Sequence, residues 1–321
     1  MRNALLSLLV LAACTKESVG DDTGSSGDTD TGGVDEGPQP APLATLSSGA
    51  CPDLTTSGTS TFQSSGLDRQ VTVVIPSNPG TAMPVNFFFH GLTDPSYTLN
   101  PGGDTADGLG LQAIADETNS IWILPDSQVQ NLFGIYEVYL WDLAMESEAD
   151  LVLFDDLRTC AANTFDVDLH RVNALGFSGG ALFTTLIATR RSDTLASAVE
   201  LSGGSDLSVP GYEVLLSAYQ TPAMPIPVLL TTGGANDVWP QPTMVIVDFE
   251  AASDTFQGEL LTDGHYVVRC KDDRGHSMNN KDWNIAQDWV AAHTFGEPSP
   301  YLTGGLGGDD DWCEVAAPAG Q

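Results

Sequence analysis

The chain has 321 residues, and its 43 acidic and 11 basic residues give it a formal net charge of −32 at pH 7. So large an excess of negative charge makes nucleic acid and anionic lipid surfaces poor partners. Once residues 1–46 are set aside, the remaining chain is long enough for one large domain with a substantial core.

The amino terminus has the composition of an export signal. A basic start precedes a short apolar run that ends in Leu11-Ala12-Ala13-Cys14. The run is too short to span a bilayer, and it looks like a bacterial lipoprotein signal in which cleavage exposes Cys14 for acylation. We therefore predict a lipoprotein-type signal peptide and acylated cysteine over 1–14, with an ordinary secretory signal as the alternative. No other segment is long and apolar enough for a transmembrane helix, so we expect an exported protein, periplasmic or at the cell surface, whose membrane contact is the lipid anchor only, or otherwise a secreted one.

Residues 15–46 consist largely of Asp, Thr, Gly, Ser and Pro. Such a segment has too little apolar surface to recover its ordering entropy, so it is predicted to be a disordered tether. Its aspartates lack the spacing and terminal glutamate of a calcium loop, which favours solvation over metal binding. Residues 47–321 form the predicted catalytic domain, with a loose C-terminal tail after Phe295.

Strand-like and helix-like segments alternate through this domain. The predicted strands are 71–75, 85–89, 121–124, 172–175, 198–201, 228–231 and 266–269. The predicted helices are 109–118, 148–162, 181–190, 244–255 and 283–293. Because the strands are short and apolar, they are expected to be buried on both faces. The pattern predicts an α/β fold with a mostly parallel central sheet and helices on both faces.

A G-x-S-x-G pentapeptide, Gly176 to Gly180, lies between a predicted strand and a predicted helix. That context is typical of a nucleophile elbow, in which the serine occupies the apex of a tight turn. The pentapeptide alone is weak evidence in a chain rich in Gly and Ser, and its position carries the prediction. Ser178 is the predicted nucleophile, and the amide of Gly179 at the helix start is a predicted oxyanion donor.

An acid and a base are predicted downstream, in the order Ser, Asp, His. Asp237 follows the strand 228–231 at its carboxyl end, where the active-site residues of parallel sheets gather. Asp254 and Asp263 are weaker alternatives. His276 follows the next predicted strand at its carboxyl end, on a loop, and is the predicted general base.

The other histidines are poorer candidates for the base. His90 and His170 precede the serine, whereas His265 begins a strand at its amino end and His293 is expected on the surface of a helix. A histidine on a helix surface is more often a solvated side chain than a catalytic one.

The loop after the strand 85–89 is predicted to complete the oxyanion site. In folds that carry a nucleophile elbow, the corresponding loop supplies the second oxyanion amide, and the amide of Leu92 is the candidate donor here. Gly91 lets the backbone approach the substrate closely. His90 is assigned with Gly91 to the substrate-binding loop, which it orients.

Four cysteines remain when Cys14 is set aside. An even number in an exported protein favours two disulfides, and the three possible pairings stay open. No pair has the C-x-x-C spacing of a zinc site, so no metal is assigned. These disulfide candidates are Cys51, Cys160, Cys270 and Cys313.

The stretches of sequence around the candidate catalytic residues resemble those of secreted feruloyl esterases and polyhydroxybutyrate depolymerases. Five stretches carry the resemblance: 46–51, 85–91, 172–180, 233–240 and 267–276. It covers most of the chain from about Cys51 to His293. The resemblance implies a carboxylic ester hydrolase of the α/β-hydrolase fold, with nucleophile, acid and base at Ser178, Asp237 and His276.

Two departures from the family pattern concern the substrate pocket. Leu92-Thr93-Asp94 replaces the glycine-rich continuation usual after His-Gly, and Ser277-Met278 replaces the Trp or Pro often found after the catalytic histidine. Trp239 is a candidate pocket residue, as are Trp141 and Tyr136, although tryptophans in a domain of this size more often belong to the core.

The sequence thus predicts an exported serine esterase that forms an acyl-enzyme on feruloyl-polysaccharide or polyhydroxyalkanoate-type esters, with no cofactor. Its expected partner is an ester substrate, which can be polymeric. A serine peptidase of the same fold is one alternative, weakened because no propeller or peptide-binding domain is evident. A catalytically silent, surface-binding lipoprotein is the other, and the intact set of Ser, Asp and His argues against it.

Overall fold

The computed structural model describes residues 37–132, 134, 136–209, 214–241, 243–306 and 311–316. The predicted signal peptide with Cys14 and most of the predicted tether lie outside the described residues. Within them, no helix has the length and apolar character needed to cross a membrane.

The last part of the predicted tether contacts the domain. The amide of Ala41 donates to the carbonyl of Asp193 at 2.7 Å, and Nη2 of Arg158 donates to the carbonyl of Ala41 at 2.8 Å. The hydroxyl of Thr159 donates to the carbonyl of Ala44 at 3.0 Å. Residues 41–44 therefore differ from the predicted disordered tether, because backbone groups of this stretch have partners on the domain.

The described residues contain strands and helices that alternate along most of the chain. In chain order the strands are β1 (Gly58–Ser64), β2 (Leu67–Val74), β3 (Met83–Phe89), β4 (Ile121–Pro125), β5 (Gln128–Leu132), β6 (Tyr136–Leu140), β7 (Val167–Phe177), β8 (Ser197–Leu201), β9 (Leu207–Ser208), β10 (Leu215–Leu216), β11 (Val228–Thr232), β12 (Val238–Gln241), β13 (Met244–Asp248), β14 (Val267–Lys271) and β15 (Cys313–Ala316). The α-helices are α1 (Pro101–Gly108), α2 (Leu111–Thr118), α3 (Ala149–Thr164), α4 (Gly179–Arg190), α5 (Phe249–Thr262), α6 (Asn280–Ala292) and α7 (Tyr301–Gly304).

One large sheet organises these elements. Its strand order is β1-β2-β4-β3-β7-β8-β11-β14-β15. The six strands from β4 to β14 in this order run parallel, and the antiparallel pairs lie at the two edges. This arrangement confirms the predicted α/β class with a mostly parallel sheet.

Helices cover both faces of the sheet. Helices α3, α4 and α5 pack with one face, and α1, α2 and α6 pack with the other. Strand β3 shows why both faces are apolar: Phe87 and Phe89 belong to the first core, whereas Phe88 belongs to the second. Side chains alternate between faces along a strand, so an unbroken apolar run fills both layers.

Within the described residues, three small antiparallel strand pairs, here called the small hairpins, lie outside the large sheet: β5–β6, β9–β10 and β12–β13. The last one corrects the predicted helix 244–255, whose first residues form β13. The β-branched run Val245-Ile246-Val247 favours an extended strand. Helix α5 begins only after Asp248, whose side chain accepts the amide of Ala251 at 3.0 Å and caps the helix.

Two disulfides join distant parts of the domain. Cys51 is bonded to Cys160 on α3, and Cys270 on β14 is bonded to Cys313 on β15. Because β15 pairs antiparallel with β14, residues 313–316 of the predicted loose tail form an edge strand of the sheet. Disulfides of this kind persist in oxidising compartments.

The parallel order of the sheet decides where loop residues meet. Strands β7, β8, β11 and β14 are successive neighbours, and all four end at the same edge. Parallel strands place the loops that follow them side by side, outside their carboxyl ends. The loops after these four strands carry the residues described next.

Candidate active site

Ser178 lies on the sharp turn between β7 and α4. Its backbone has φ 56° and ψ −122°, a conformation that L-residues rarely adopt. The amide of Ser178 donates to the carbonyl of Leu201 at 3.0 Å, which ties the turn to the end of β8. Gly180 must be a glycine, because a Cβ there would lie 1.9 Å from the carbonyl oxygen of Phe89. The turn therefore brings α4 directly against β3.

The structure brings together the three predicted catalytic side chains. Oγ of Ser178 lies 2.8 Å from Nε2 of His276, and Nδ1 of His276 lies 2.7 Å from Oδ1 of Asp237. Asp237 is completely buried, and the His276 side chain is 17% exposed. A proton on Nδ1 facing the carboxylate leaves the Nε2 lone pair to accept the serine proton. The geometry thus suits removal of a proton from Ser178.

The loops that carry Asp237 and His276 contact each other through backbone groups. The amide of Gly275 donates to the carbonyl of Gly233 at 2.9 Å. A Cβ on Gly233 would lie 2.0 Å from the carbonyl oxygen of Gly275, so only glycine permits this approach. The imidazole of His276 stacks on Phe249, with centroids 4.2 Å apart, and on Phe177 at 5.2 Å. These contacts restrict the orientation of the ring.

Two donors hold the second oxygen of the Asp237 carboxylate. Oδ2 accepts the hydroxyl of Ser202 at 2.7 Å and the amide of Gly233 at 2.8 Å. Neither contact was expected from the sequence. The only available signal for Ser202 was its position directly after the predicted strand 198–201, at the carboxyl edge of the sheet.

The predicted oxyanion donors lie next to each other beside Ser178. Gly179 is the first residue of α4, so its amide has no acceptor within the helix. The amide nitrogen of Leu92 lies 3.3 Å from the point where a Cβ of Gly179 would be. A Cβ on Gly91 would lie 3.2 Å from Cβ of Ser178, which places this loop against the serine. The arrangement can present two N–H groups to one oxygen.

His90 contacts the loop that carries Gly91 and is not part of the wall of the pocket that contains Ser178. Its side chain is buried. Nδ1 of His90 donates to the carbonyl of Gly91 at 2.7 Å, and Nε2 accepts the amide of Ser127 at 3.1 Å. Burial lowers the pKa of His90 to about 4, in keeping with a neutral ring. His90 therefore orients the loop.

A pocket of about 450 Å³ opens at Ser178. Its wall is mainly apolar, and the three small hairpins contribute much of it. Apolar residues of this wall include Leu132, Leu140, Leu182, Leu216, Ile246 and Val247. The charged residues among its described lining are Asp142 and Glu146, with no lysine or arginine. Such a wall suits an uncharged, apolar group.

The predicted aromatic pocket residues have unlike positions. Trp239 lies in the pocket wall, and so does Trp141 although it is 1% exposed. Nε1 of Trp141 donates to the carbonyl of His90 at 2.9 Å, so this tryptophan also supports the loop beside the serine. Tyr136 is 61% exposed and lies outside the described lining.

The weaker candidates make other contacts. Asp254 is paired with Arg269 at 3.2 Å, and Asp263 accepts the hydroxyl of Tyr219 at 2.7 Å. His293 is buried and not on a helix surface as predicted; its Nδ1 donates to a backbone carbonyl of α6. Among the described residues, no group of three or more His, Cys, Asp and Glu side chains is arranged to hold a metal ion.

No protein-family model and no curated protein matches this sequence. Solved structures do resemble it. A serine-to-cysteine variant of pOPH in complex with DMSO has a TM-score of 0.64 and 18% identity, covering 84% of this chain and 97% of that one. A serine-to-alanine variant of pOPH, described as a complex of pNPB, has a TM-score of 0.65 and 17% identity with the same coverage. A thermostable esterase has a TM-score of 0.52 and 17% identity, covering 75% of this chain and 64% of its own. At these identities the likeness concerns the fold, and it confirms the predicted α/β-hydrolase fold.

Proposed function

We propose that this protein is a serine carboxylic-ester hydrolase in which Ser178 is the nucleophile, His276 the general base and Asp237 the acid that orients it. The observation that carries the proposal is the continuous hydrogen-bonded line from Oγ of Ser178 through the imidazole to a buried carboxylate, at the mouth of an apolar pocket. A serine with a purely structural role does not need hydrogen bonds that connect it through an imidazole to a buried carboxylate. The esterase among the similar folds is consistent with this activity.

Acylation follows from the geometry. Oγ of Ser178 attacks the ester carbonyl carbon while Nε2 of His276 takes its proton. The carbonyl oxygen becomes an oxyanion, which the amides of Gly179 and Leu92 are placed to stabilise. The ester C–O bond then breaks, and the departing alcohol oxygen takes the proton from Nε2. An acyl group remains on Ser178.

Deacylation repeats the steps with water. His276 takes a proton from water as the water oxygen attacks the acyl carbon, and the bond from that carbon to Oγ breaks. Oγ recovers its proton from the imidazole, and a carboxylic acid leaves. Throughout, Asp237 faces the ring nitrogen Nδ1, where it stabilises the imidazolium formed in each step.

The wall of the pocket limits the class of acyl group. Its apolar side chains and its two carboxylates disfavour an anionic acyl group and favour a neutral one. Feruloyl-polysaccharide and polyhydroxyalkanoate-type esters both satisfy this condition, and Trp239 offers an aromatic surface to the first.

The chemistry is tested with a fluorophosphonate probe and a panel of esters. We expect the probe to label the wild-type protein at Ser178 and not the Ser178→Ala variant, which should fold normally and lose at least about 1,000-fold in ester hydrolysis. The panel compares feruloyl esters, hydroxyalkanoate oligomers, acetylated xylan and matched amides. Amide cleavage that rivals ester cleavage would favour a peptidase, and an unlabelled wild-type protein would favour a silent binding protein.

We also propose that the protein is exported and held at a membrane by acylated Cys14. The two disulfides support an oxidising compartment. Cys14→Ser should move the protein from the membrane to the soluble fraction, while Cys51→Ser, which breaks a disulfide instead, should not. Membrane association that survives in Cys14→Ser would contradict the anchor.

A further inference from the structure

Ser202 is a buried serine directly after the carboxyl end of β8. Its Oγ donates to Oδ2 of Asp237 at 2.7 Å, and its amide donates to the carbonyl of Thr231 at 2.8 Å. The residue before it, Leu201, accepts the amide of Ser178 at 3.0 Å. One short stretch of chain therefore contacts both the backbone of the nucleophile and the side chain of the proposed acid.

The two oxygens of Asp237 have separate sets of partners. Oδ1 faces Nδ1 of His276, and Oδ2 accepts the hydroxyl of Ser202 and the amide of Gly233. The carboxylate is completely buried, so a lost donor would leave part of a buried charge unsatisfied. Two donors on Oδ2 also oppose rotation of the carboxylate, which keeps Oδ1 directed at the imidazole.

The backbone of Ser202 supports a role for its hydroxyl. Its φ is 57°, in the left-handed region where glycine is favoured over other residues. Gly203 and Gly204 follow directly, so the turn is otherwise made of glycine. A serine at this position keeps backbone strain that a glycine would relieve, and what it supplies in return is the hydroxyl on Oδ2.

We propose that Ser202 is a positioning residue of the active site: its hydroxyl holds the Asp237 carboxylate in the orientation that aligns His276 with Ser178. The proposal rests on the proposed function, because the role is defined by the alignment of the nucleophile and its base. Ser202 itself lies behind the carboxylate and outside the described lining of the substrate pocket.

Ser202→Ala and Ser202→Gly test the proposal against a control on β8, the strand that precedes Ser202. Both variants lose the hydroxyl, but the glycine variant also relieves the strain at φ 57°. The control is Ser197→Ala, which removes a buried hydroxyl that donates to Asn173 at 2.8 Å at the start of β8. We expect both Ser202 variants to lose about 10- to 100-fold in kcat, with KM within about twofold of wild type, as for loss of a hydrogen bond to a buried charge. The control should retain kcat.

A second readout follows the Asp237–His276 contact itself. The proton on Nδ1 of His276 should give a low-field resonance in the wild-type NMR spectrum, and this resonance should shift or broaden in both Ser202 variants but not in Ser197→Ala. Thermal unfolding of each variant checks that the domain is folded before kcat is compared.

Each unfavourable outcome has a separate meaning. Wild-type kcat in Ser202→Gly, or an equal loss of kcat in Ser197→Ala, would overturn the positioning role, because backbone strain or general packing would then explain any effect. An unchanged Nδ1 resonance would overturn it as well. If the wild-type protein failed to react with a fluorophosphonate, the proposed function would fail first, and that result is distinct from an unchanged kcat in the Ser202 variants.

Discussion

The carboxyl edge of the large sheet and the wall of the pocket are built in different ways. At the edge, loops that follow buried strands carry Ser178, His276 and Asp237, and short hydrogen bonds join these three side chains. The wall comes largely from small hairpins outside the sheet, and it is apolar and more exposed. The difference indicates that the proposed chemistry and the choice of substrate reside in separable parts, so substitutions in each should alter different kinetic constants.

The largest expected effect at the sheet edge comes from Asp237→Asn. The amide keeps the size of the side chain but removes the charge that faces His276, so the imidazolium is no longer stabilised and the tautomer of the neutral ring is no longer set. We expect kcat to fall by about 1,000- to 10,000-fold. Steady-state kinetics on a soluble ester measures the loss of kcat. The control is Asp254→Asn, which replaces an exposed aspartate. A loss below tenfold would exclude Asp237 as the orienting acid.

A smaller effect is expected from Arg274→Lys, in the loop that carries His276. The buried guanidinium of Arg274 donates to the carbonyls of Thr232 and Ser277, and its Nη2 lies 3.0 Å from Oδ1 of Asp282. One ammonium group cannot reach all three partners, so the loop should be held less well. We expect kcat to fall by about 10- to 100-fold.

The control for this loop is Arg171→Lys. Arg171 pairs with Asp168 at 2.8 Å near the start of β7, away from the site, and its substitution should leave kcat within about twofold. Equal losses in the two variants would mean that the Arg274 effect is one of general stability and not of the histidine loop.

The pocket wall should respond differently, as Leu140→Ala would show. A methyl carbon of Leu140 lies 3.2 Å from the point where a Cβ of Gly179 would be, so this side chain borders the proposed oxyanion site. Replacing Leu140 with alanine should enlarge the pocket. The kcat/KM for bulky acyl esters should then rise about tenfold relative to the kcat/KM for short ones, the scale expected for a few methylene contacts. Activity on the short ester should stay within about threefold. Leu67→Ala, on β2, is the control, and an unchanged ratio would contradict this account of the wall.

The smallest effect on activity is expected from Glu200→Gln, which should instead change how stability depends on pH. Burial raises the pKa of Glu200 from 4.5 to about 8. Between these values the folded protein keeps a proton that the unfolded chain releases. Below pH 4.5 both states hold this proton, and the free energy of unfolding does not change with pH through Glu200. As the pH rises from 4.5 towards 8, the free energy of unfolding falls by up to about 1.4 kcal/mol per pH unit.

Urea unfolding of wild type and Glu200→Gln from pH 5 to 8 measures this contribution. The glutamine cannot ionise, so the wild-type free energy of unfolding should fall relative to that of the variant across the range. Glu117→Gln, an exposed residue of α2, serves as the control. Parallel curves for wild type and Glu200→Gln would show that Glu200 is not protonated in the folded protein.

The sequence predicted those features that depend on residues near one another in the chain. Apolar runs of strand length indicated a sheet buried on both faces, and G-x-S-x-G between a strand and a helix indicated the turn at Ser178. Chain order and the carboxyl-edge rule then selected Asp237 and His276 from several acids and histidines. The predicted helix 244–255 was wrong at its start: the β-branched run 245–247 forms a strand, because pairing with β12 decides its conformation.

Only the tertiary structure decided which side chains meet. The disulfide pairs, the stacking of Phe249 on His276 and the hydroxyl of Ser202 on Asp237 join residues far apart in sequence. The motif assigned His90 to the substrate-binding loop, but only the structure shows that its ring is buried and accepts the amide of Ser127. Local pattern specifies the conformation of a segment, whereas contacts between segments depend on how the whole sheet aligns its strand ends, and no single stretch of sequence records that alignment.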